Sequence, residues 1–243
     1  MTGASRGIGR AIALAFAARG DRVAVHANTS VERAEAVLAE LPGEGHVLVQ
    51  GDLADPEAVG HVVDDAADQL GGLQVLVNNA GVFTAHPPLE TGYADWQAAW
   101  QRTLAVNLLG PANATFRALP HLIAAGGGAV VNVSSRGAFR GEPNNPAYGA
   151  SKAGLNAFGQ SMALALAPHG ISVGTVAPGF VQTEMAREVL DGPGGDAVRA
   201  QSPYGRVARP EEVASAVLWL ASPGAAFSTG TIIDVNGASY LRS

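Results

Sequence analysis

Near its start the chain carries the glycine-rich segment Thr2-Gly3-Ala4-Ser5-Arg6-Gly7-Ile8-Gly9. Its glycines can adopt backbone angles closed to other residues, and they let a pyrophosphate approach the main chain. A helical pattern follows from Ile8 to Arg19 and stops at Gly20, so free N–H groups and a positive dipole end would face that anion. The segment predicts a dinucleotide site, although taken alone it fits an ordinary turn equally well.

Outward from this segment, short strand-like runs alternate with helical patterns. The runs are largely β-branched and apolar, as expected of strands covered on both faces, and they are Val23–His26, His46–Gln50, Val75–Asn78, Ala129–Val133, Ser172–Val176 and Ile232–Val235. Helices begin with a capping Asp and a proline at Asp55-Pro56, and with Pro210-Glu211-Glu212. This alternation predicts an α/β fold with a doubly wound parallel sheet, one domain over residues 1–243, with ligands at the carboxyl ends of the strands.

Composition argues against several other classes of protein. The formal net charge of −6 and the lack of any Lys/Arg cluster argue against a nucleic-acid binder. The chain has no cysteine, and its six histidines show no spacing typical of a metal site, so we expect no metal. Without a signal peptide or an apolar run long enough for a bilayer, we expect a cytoplasmic protein with no membrane partner.

Polar residues follow two of the predicted strands. Asp52 and Leu53 come after the second run, where Asp52 could accept a hydrogen bond from an adenine edge or cap its own loop. After the third run, Asn78-Asn79-Ala80-Gly81 offers small polar residues that can hold a ribose and lock the loop, or forms an ordinary turn. Both stretches fit a dinucleotide site.

The type of dinucleotide depends on the end of the first run. A protein that reads the ribose 2′-hydroxyl places Asp or Glu there. This chain instead reads His26-Ala27-Asn28-Thr29-Ser30, so no carboxylate would repel a 2′-phosphate near Asn28. The guanidinium of Arg6 could pair with that phosphate from the glycine segment. The sequence therefore favours NADP(H) over NAD as the cofactor.

A candidate catalytic group lies in Tyr148-Gly149-Ala150-Ser151-Lys152, which puts a phenol and an ammonium one helical turn apart. A lysine that stabilises the phenolate would lower the tyrosine pKa from its usual ~10 and allow proton exchange with a carbonyl oxygen. Such pairs also occur by chance on surface helices. Ser135 follows the fourth run, where it could hold the substrate oxygen. Asn107 stands in an apolar helical stretch, as a functional residue or a satisfied buried amide.

Together these segments resemble the short-chain dehydrogenase/reductase family over essentially the whole chain. The resemblance is carried by Thr2 to Gly9, Asn78-Asn79-Ala80-Gly81, Asn107, Ser134-Ser135, Tyr148 with Lys152, and Pro178-Gly179 followed by Thr183. It implies a Rossmann-type fold and NADP(H)-dependent interconversion of a carbonyl and a secondary alcohol. The tail from Gly230 to Gly237 looks like that of the 3-oxoacyl-carrier-protein-reductase-like group, a broad group that does not fix the substrate.

The resemblance also implies a role for each site residue. Tyr148 would be the general acid/base, Ser135 would position the carbonyl, and Ser134 would support the strand end. Lys152 would bind the nicotinamide ribose and lower the pKa of Tyr148. Asn107 would hold a water that links Lys152 to solvent. The nicotinamide would be framed by Pro178, Gly179 and Thr183.

Two other functions share this pattern. A non-catalytic NADP(H)-binding sensor would have the same fold but no reason to keep all four catalytic residues. A related epimerase or dehydratase would use the same Tyr148 and Lys152, usually with a longer C-terminal region. The resemblance further implies a homotetramer or homodimer, in which one face of the helix with Tyr148 packs on a partner subunit or, alternatively, only on the sheet.

The start of the chain departs from the family pattern, because Thr2 already lies in the glycine segment and no apolar strand precedes it. We expect unpaired backbone groups on two neighbouring strand edges and a glycine loop unsupported at one end. We also expect the in-frame DNA upstream of Met1 to encode the strand.

One long connection stands out near the C-terminal end. The stretch Phe180–Gly205 contains a short helical pattern and a break at Asp191–Gly195, and its length favours a substrate lid over a plain surface excursion. Arg136, next to Ser135, is expected to be solvated rather than to meet an anionic substrate.

Overall fold

The computed structural model describes residues 1–242 of the chain. Its strands are β1 (Ala24–Ala27), β2 (Val47–Gln50), β3 (Val75–Asn78), β4 (Gly128–Val133), β5 (Ile171–Pro178) and β6 (Ile232–Val235). Its α-helices are α1 (Gly7–Ala18), α2 (Val31–Glu40), α3 (Pro56–Leu70), α4 (Tyr93–Leu104), α5 (Gly110–Ala124), α6 (Pro146–Leu166), α7 (Glu184–Asp191), α8 (Gly195–Arg199) and α9 (Pro210–Leu220). In the part described, no helix is both long enough and apolar enough to cross a bilayer.

The predicted strands and helix starts are confirmed to within one or two residues. The Asp55 side chain accepts a hydrogen bond from the Glu57 N–H at 2.9 Å, so it caps α3 as its sequence indicated. The apolar stripe of α3 is buried along its length, at Val59, Val62, Val63, Ala66 and Leu70. The segment after Phe180 contains α7, as predicted, and also the short helix α8, which was not predicted.

All strand pairs are parallel, and helices cover both faces of the strands. The spatial order is β1-β2 in one group and β3-β4-β5-β6 in the other. Side chains of α1, α2 and α9 form one core cluster with the strands, and side chains of α3, α5 and α6 form another. The doubly wound α/β fold predicted from the sequence is therefore confirmed, and the carboxyl ends of its strands form one edge.

The sheet is interrupted between β1 and β3, and these are the two neighbouring strands whose edges were expected to be unpaired. The first residues of the chain bridge this gap at the end nearest the glycine segment. Thr2 N–H donates to Val77 O at 3.0 Å, and Ala4 N–H donates to His26 O at 2.9 Å. On the same side, His26 N–H donates to Met1 O at 3.2 Å. The expected unpaired edges are therefore partly satisfied at the end nearest the glycine segment.

Farther from the glycine segment, the gap between β1 and β3 contains a cavity of about 100 Å³. Its walls are mostly apolar and include Phe16, Val23, Val49, Val63, Val75 and Leu76. An empty apolar cavity costs stability because the lining atoms lose contacts that a filled core would provide.

Filling this gap is expected to stabilise the protein. Extending the amino terminus by about four β-branched residues should raise the free energy of unfolding by about 2 kcal/mol and Tm by roughly 5 °C. A Gly/Ser extension of equal length is the control, because it adds the same backbone without apolar side chains. Thermal unfolding followed by circular dichroism checks the prediction, and equal melting temperatures for both extended chains would contradict it.

Candidate active site

A cleft of about 420 Å³ lies at the carboxyl edge of the strands. It is lined by residues from most of the segments that the sequence singled out. They include Gly3, Ser5, Arg6, Gly7, Ile8, Gly9, Asn28, Asp52, Leu53, Asn79, Ala80, Gly81, Tyr148, Lys152 and Thr183. The structure therefore brings the predicted glycine loop, the strand ends and the Tyr/Lys pair to one site.

The glycine loop leaves no room for side chains where it turns into α1. Gly3 and Gly7 have φ angles of +62° and +54°, which disfavour other residues. A Cβ on Gly9 would overlap Gly3 O, so the two main-chain segments pack directly on each other. No side chain caps the N–H groups at the start of α1. This bare cradle fits the pyrophosphate of a dinucleotide.

Thr2 and Asn79 join the glycine loop to the end of β3. The Thr2 hydroxyl accepts hydrogen bonds from the N–H groups of Asn79 and Ala80 at 2.9 and 3.0 Å. The Asn79 amide donates to Thr2 O and Gly3 O, each at 3.0 Å. Asn79 therefore locks the loop, one of the two roles predicted for its segment.

His26 supports the loop from β1, a role that the sequence analysis missed. Its Nδ1 accepts from Gly3 N–H at 3.0 Å, so Nε2 carries the proton and donates to Gly51 O at 3.0 Å. Burial lowers the pKa of His26 to about 4, which keeps this tautomer neutral. The expectation of an unsupported glycine loop is therefore wrong, because side chains from β1 and β3 hold it.

Asp52, which lines the cleft, makes hydrogen bonds with neighbouring groups of the protein. Its carboxylate accepts from Ala54 N–H at 3.0 Å and from the Arg102 guanidinium at 2.8 Å. The hydrogen bond from Arg102 is the main cause of its lowered pKa. Asp52 thus caps its loop, one of the two roles considered for it, and it also lines the cleft; its hydrogen bond with an adenine edge stays a prediction.

Helix α6 carries Tyr148 and Lys152 on one face, as predicted. The Lys152 Nζ donates to Val133 O at 2.9 Å and lies 5.8 Å from the centre of the Tyr148 ring. The Ser134 hydroxyl donates to Lys152 O at 3.2 Å, which agrees with its predicted supporting role.

The pKa of Tyr148 does not follow the prediction. Burial raises the pKa of Tyr148 above its ordinary value, a hydrogen bond with Ser135 lowers it, and the nearby Glu142 carboxylate raises it. The expected net lowering is wrong for this arrangement, because burial raises the pKa more than the hydrogen bond with Ser135 lowers it. The Tyr148 phenol is therefore neutral at physiological pH, and Ser135, not Ser134, is the serine that influences its pKa.

Lys152 is the only lysine in the chain, and it is 4% exposed. Burial lowers its pKa from 10.5 to about 8. At neutral pH the cleft therefore holds a buried positive charge at a cost in folding free energy.

Asn107 is fully buried in a π-helical turn, Ala105–Leu109. Its Oδ1 accepts from Val82 N–H at 2.8 Å, and its Nδ2 donates to Val82 O at 3.0 Å and Ser151 Oγ at 3.2 Å. These contacts describe a satisfied buried amide, and π-turns of this kind are frequent at functional sites. The water-holding role implied by the resemblance stays a prediction.

Other predicted residues differ in their placement. Thr183 lines the cleft, but four predicted residues are not among the described residues that line it: Asn107, Ser135, Pro178 and Gly179. Pro178 and Gly179 instead pair with β6. Arg136 is buried, not solvated as expected. It donates to Gln201 Oε1 and Ser239 Oγ, both at 2.8 Å, and it stacks on Phe180. The sequence spacing gave no sign of these distant partners.

A doubly wound parallel sheet with a glycine cradle and a Ser/Tyr/Lys group at its carboxyl edge defines an oxidoreductase of the Rossmann type. A family model described as enoyl-(acyl carrier protein) reductase matches residues 3–238. The chain belongs to the short-chain dehydrogenase/reductase family.

Individual relatives agree with this assignment. The chain is 40% identical to cis-4-hydroxycyclohexanecarboxylate dehydrogenase of Sinomonas cyclohexanicum, covering 98% of this chain and 94% of the relative. It is 36% identical to 3-oxoacyl-[acyl-carrier-protein] reductase of Staphylococcus aureus, covering 99% and 97%. A crystal structure of a short-chain dehydrogenase from Burkholderia cenocepacia in complex with NADP superposes with a TM-score of 0.88 at 37% identity, covering 98% and 95%.

Replacing Lys152 with methionine is expected to raise the free energy of unfolding at pH 7, by on the order of 2 kcal/mol, because the fold no longer holds a buried ammonium. The folded-state pKa of about 8 lies below 10.5, so the unfolded chain binds more protons between these values. The destabilising effect of Lys152 on the wild type therefore decreases as pH rises from about 8 to 10.5. Over the same range, the stability advantage of Lys152→Met should shrink.

Urea unfolding of both proteins at pH 7 and pH 10.5 measures this difference. The exposed Arg22 offers a control variant, Arg22→Met, which is expected to change stability little at either pH. A Lys152→Met variant that is less stable than the wild type at pH 7 would contradict the prediction.

Proposed function

We propose that this protein is an NADP(H)-dependent oxidoreductase that interconverts a small-molecule ketone and a secondary alcohol, with Tyr148 as general acid/base. One observation carries the proposal: Tyr148, held by Ser135 and beside buried Lys152, reaches the same cleft as the glycine cradle. A proton donor and a dinucleotide site that share one cleft suit a reaction in which proton and hydride reach adjacent atoms.

The residues of the chain account for the proton side of this reaction. The neutral Tyr148 hydroxyl donates its proton to the carbonyl oxygen as that oxygen becomes negative. The Ser135 hydroxyl orients the same oxygen and stabilises the charge on it. The positive charge of Lys152 then stabilises the tyrosinate until it is reprotonated, and the reverse reaction uses the same groups.

The cradle at the start of α1 would hold the pyrophosphate, and Arg6 beside Asn28 would receive the 2′-phosphate. When bound, NADPH supplies the hydride for the carbonyl carbon. The lack of an acid in the stretch from His26 to Ser30 supports NADP(H) over NAD. The NADP complex of the Burkholderia cenocepacia protein is in line with this choice.

We also propose that residues 180–205 form the substrate lid. Helix α7 follows Thr183, whose side chain would contact a Cβ placed on Gly7 at 3.3 Å, so the segment lies directly on the glycine loop. A segment in this position can cover the cleft and exclude water around the substrate.

The proposed roles predict the effect of Tyr148→Phe. Loss of the hydroxyl should lower kcat at least ~100-fold with a responsive ketone, while the ring and its edge contact with Phe83 remain. NADPH oxidation followed by absorbance over a panel of ketones measures this effect. The exposed Tyr93 provides the control, since Tyr93→Phe should leave the rate unchanged. Undiminished turnover in Tyr148→Phe would contradict the assigned role.

For assembly we propose a homodimer or homotetramer. Leu109, Phe116 and Ile123 recur at intervals of seven residues at the start of α5 and along it, and all three are exposed. An apolar stripe with this spacing lies on one helix face and is typical of an interface between subunits.

Phe116→Glu is expected to shift the protein to a smaller species in light scattering coupled to size exclusion, because a charge would enter the apolar contact. Leu89 is equally apolar and 98% exposed, but it lies outside this stripe, so Leu89→Glu is the matched control. A monomeric wild type, or dissociation by both variants alike, would contradict the proposed interface.

A further inference from the structure

Glu184, the first residue of α7, lies between two arginines from distant parts of the chain. Its Oε2 is 2.8 Å from Arg33 Nη1 and 3.4 Å from Arg6 Nη1. Among the described residues, no other carboxylate lies within 4 Å of either guanidinium. One carboxylate therefore joins the glycine loop, α2 and α7.

Arg6 stands at the rim where the end of β1 meets the cleft, and Arg33 is joined to this rim through Glu184. Arg6 lines the cleft immediately before α1, and Arg33 lies in the first turn of α2, after the rim stretch Asn28–Ser30. Thr183 and Met185, on either side of Glu184, also line the cleft. The ion pairs thus fasten the start of α7 over this rim.

Two guanidinium groups converging on one oxygen form a site for an oxyanion, and phosphate fits such a site at least as well as a carboxylate. Hydrogen bonding and charge from Arg33, followed by those from Arg6, lower the pKa of Glu184. The carboxylate is therefore ionised at neutral pH and occupies this site as an internal anion. Any external phosphate at the rim must replace it.

We infer that Glu184 and the 2′-phosphate of NADP(H) compete for Arg6 and Arg33, so that phosphate binding releases the start of α7. Arg33 is thereby a further specificity residue for the phosphorylated cofactor. This inference rests on the proposed NADP(H) site and adds a coupling between cofactor choice and the position of α7.

The binding test uses 2′,5′-ADP and 5′-AMP, which differ in the 2′-phosphate and lack the nicotinamide. Glu184→Gln is expected to bind 2′,5′-ADP threefold to tenfold more tightly than the wild type, as judged from the strength of exposed ion pairs, with 5′-AMP unchanged. Arg33→Gln should bind 2′,5′-ADP more weakly by a similar factor. Isothermal titration at low salt gives both dissociation constants without any turnover.

Matched control variants distinguish competition for the two arginines from a general effect of the protein's net charge on nucleotide binding. Glu188→Gln removes a carboxylate from the same helix, one turn away, and Arg10→Gln removes an exposed arginine that pairs with Glu40 instead. Both controls should leave the ratio of the two dissociation constants unchanged. A gain in Glu188→Gln equal to that in Glu184→Gln would overturn the inference.

Limited trypsin digestion reports on α7 through cleavage after Arg187, which is exposed within that helix. In the wild type, 2′,5′-ADP should accelerate this cleavage severalfold and 5′-AMP should not. Glu184→Gln should be cleaved rapidly with either nucleotide or with none. Slower cleavage of the wild type with 2′,5′-ADP would overturn the release of α7.

The outcomes also distinguish the inference from the proposed function. Wild-type protein that binds neither NADPH nor 2′,5′-ADP would refute the cofactor assignment itself. Wild-type protein that prefers NADPH to NADH, together with a Glu184→Gln variant of equal or weaker affinity for 2′,5′-ADP, would refute only the competition, because Glu184 would then be positioning the arginines.

Discussion

Two reciprocal hydrogen bonds between α6 and the end of β4 set the geometry of the cleft around Tyr148. Lys152 Nζ donates to Val133 O, and Ser134 Oγ donates back to Lys152 O. Because Tyr148 lies one turn before Lys152 and Ser135 follows Ser134, the same bonds fix the phenol beside the hydroxyl. The proposed catalytic pair is thus positioned by a helix-to-strand junction, and burial of the lysine is the thermodynamic cost of that junction.

The glycine loop on the other side of the cleft is held in a different manner. Between β1 and β3 the sheet lacks a continuous ladder of main-chain hydrogen bonds, and side-chain hydrogen bonds replace some of them. His26 and Thr2 connect the glycine loop to the ends of both neighbouring strands. The glycine loop therefore keeps its tight turns next to an apolar cavity, because side chains join it to the ends of β1 and β3 and no strand in the gap is needed to support it.

Much of this architecture could be predicted because it depends on local patterns. Short β-branched runs fixed the strands to within two residues, and Asp55 before Pro56 marked the start of α3. The glycine spacing and the Tyr148/Lys152 interval located the cleft. These signals are each contained in a few consecutive residues, so no knowledge of the tertiary structure was needed to read them.

What escaped prediction depends on burial or on contacts between distant residues. The pKa of Tyr148 is raised where a lowering was expected, because burial outweighs the hydrogen bond with Ser135. Arg136 is buried by residues 44 to 103 positions away in the sequence, and Glu184 pairs with Arg33 across 151 positions.

The presence of a single lysine in the chain has a practical consequence. Incorporating lysine labelled with carbon-13 at its ε-methylene should give one side-chain resonance, and that resonance would report directly on the chemistry of the cleft.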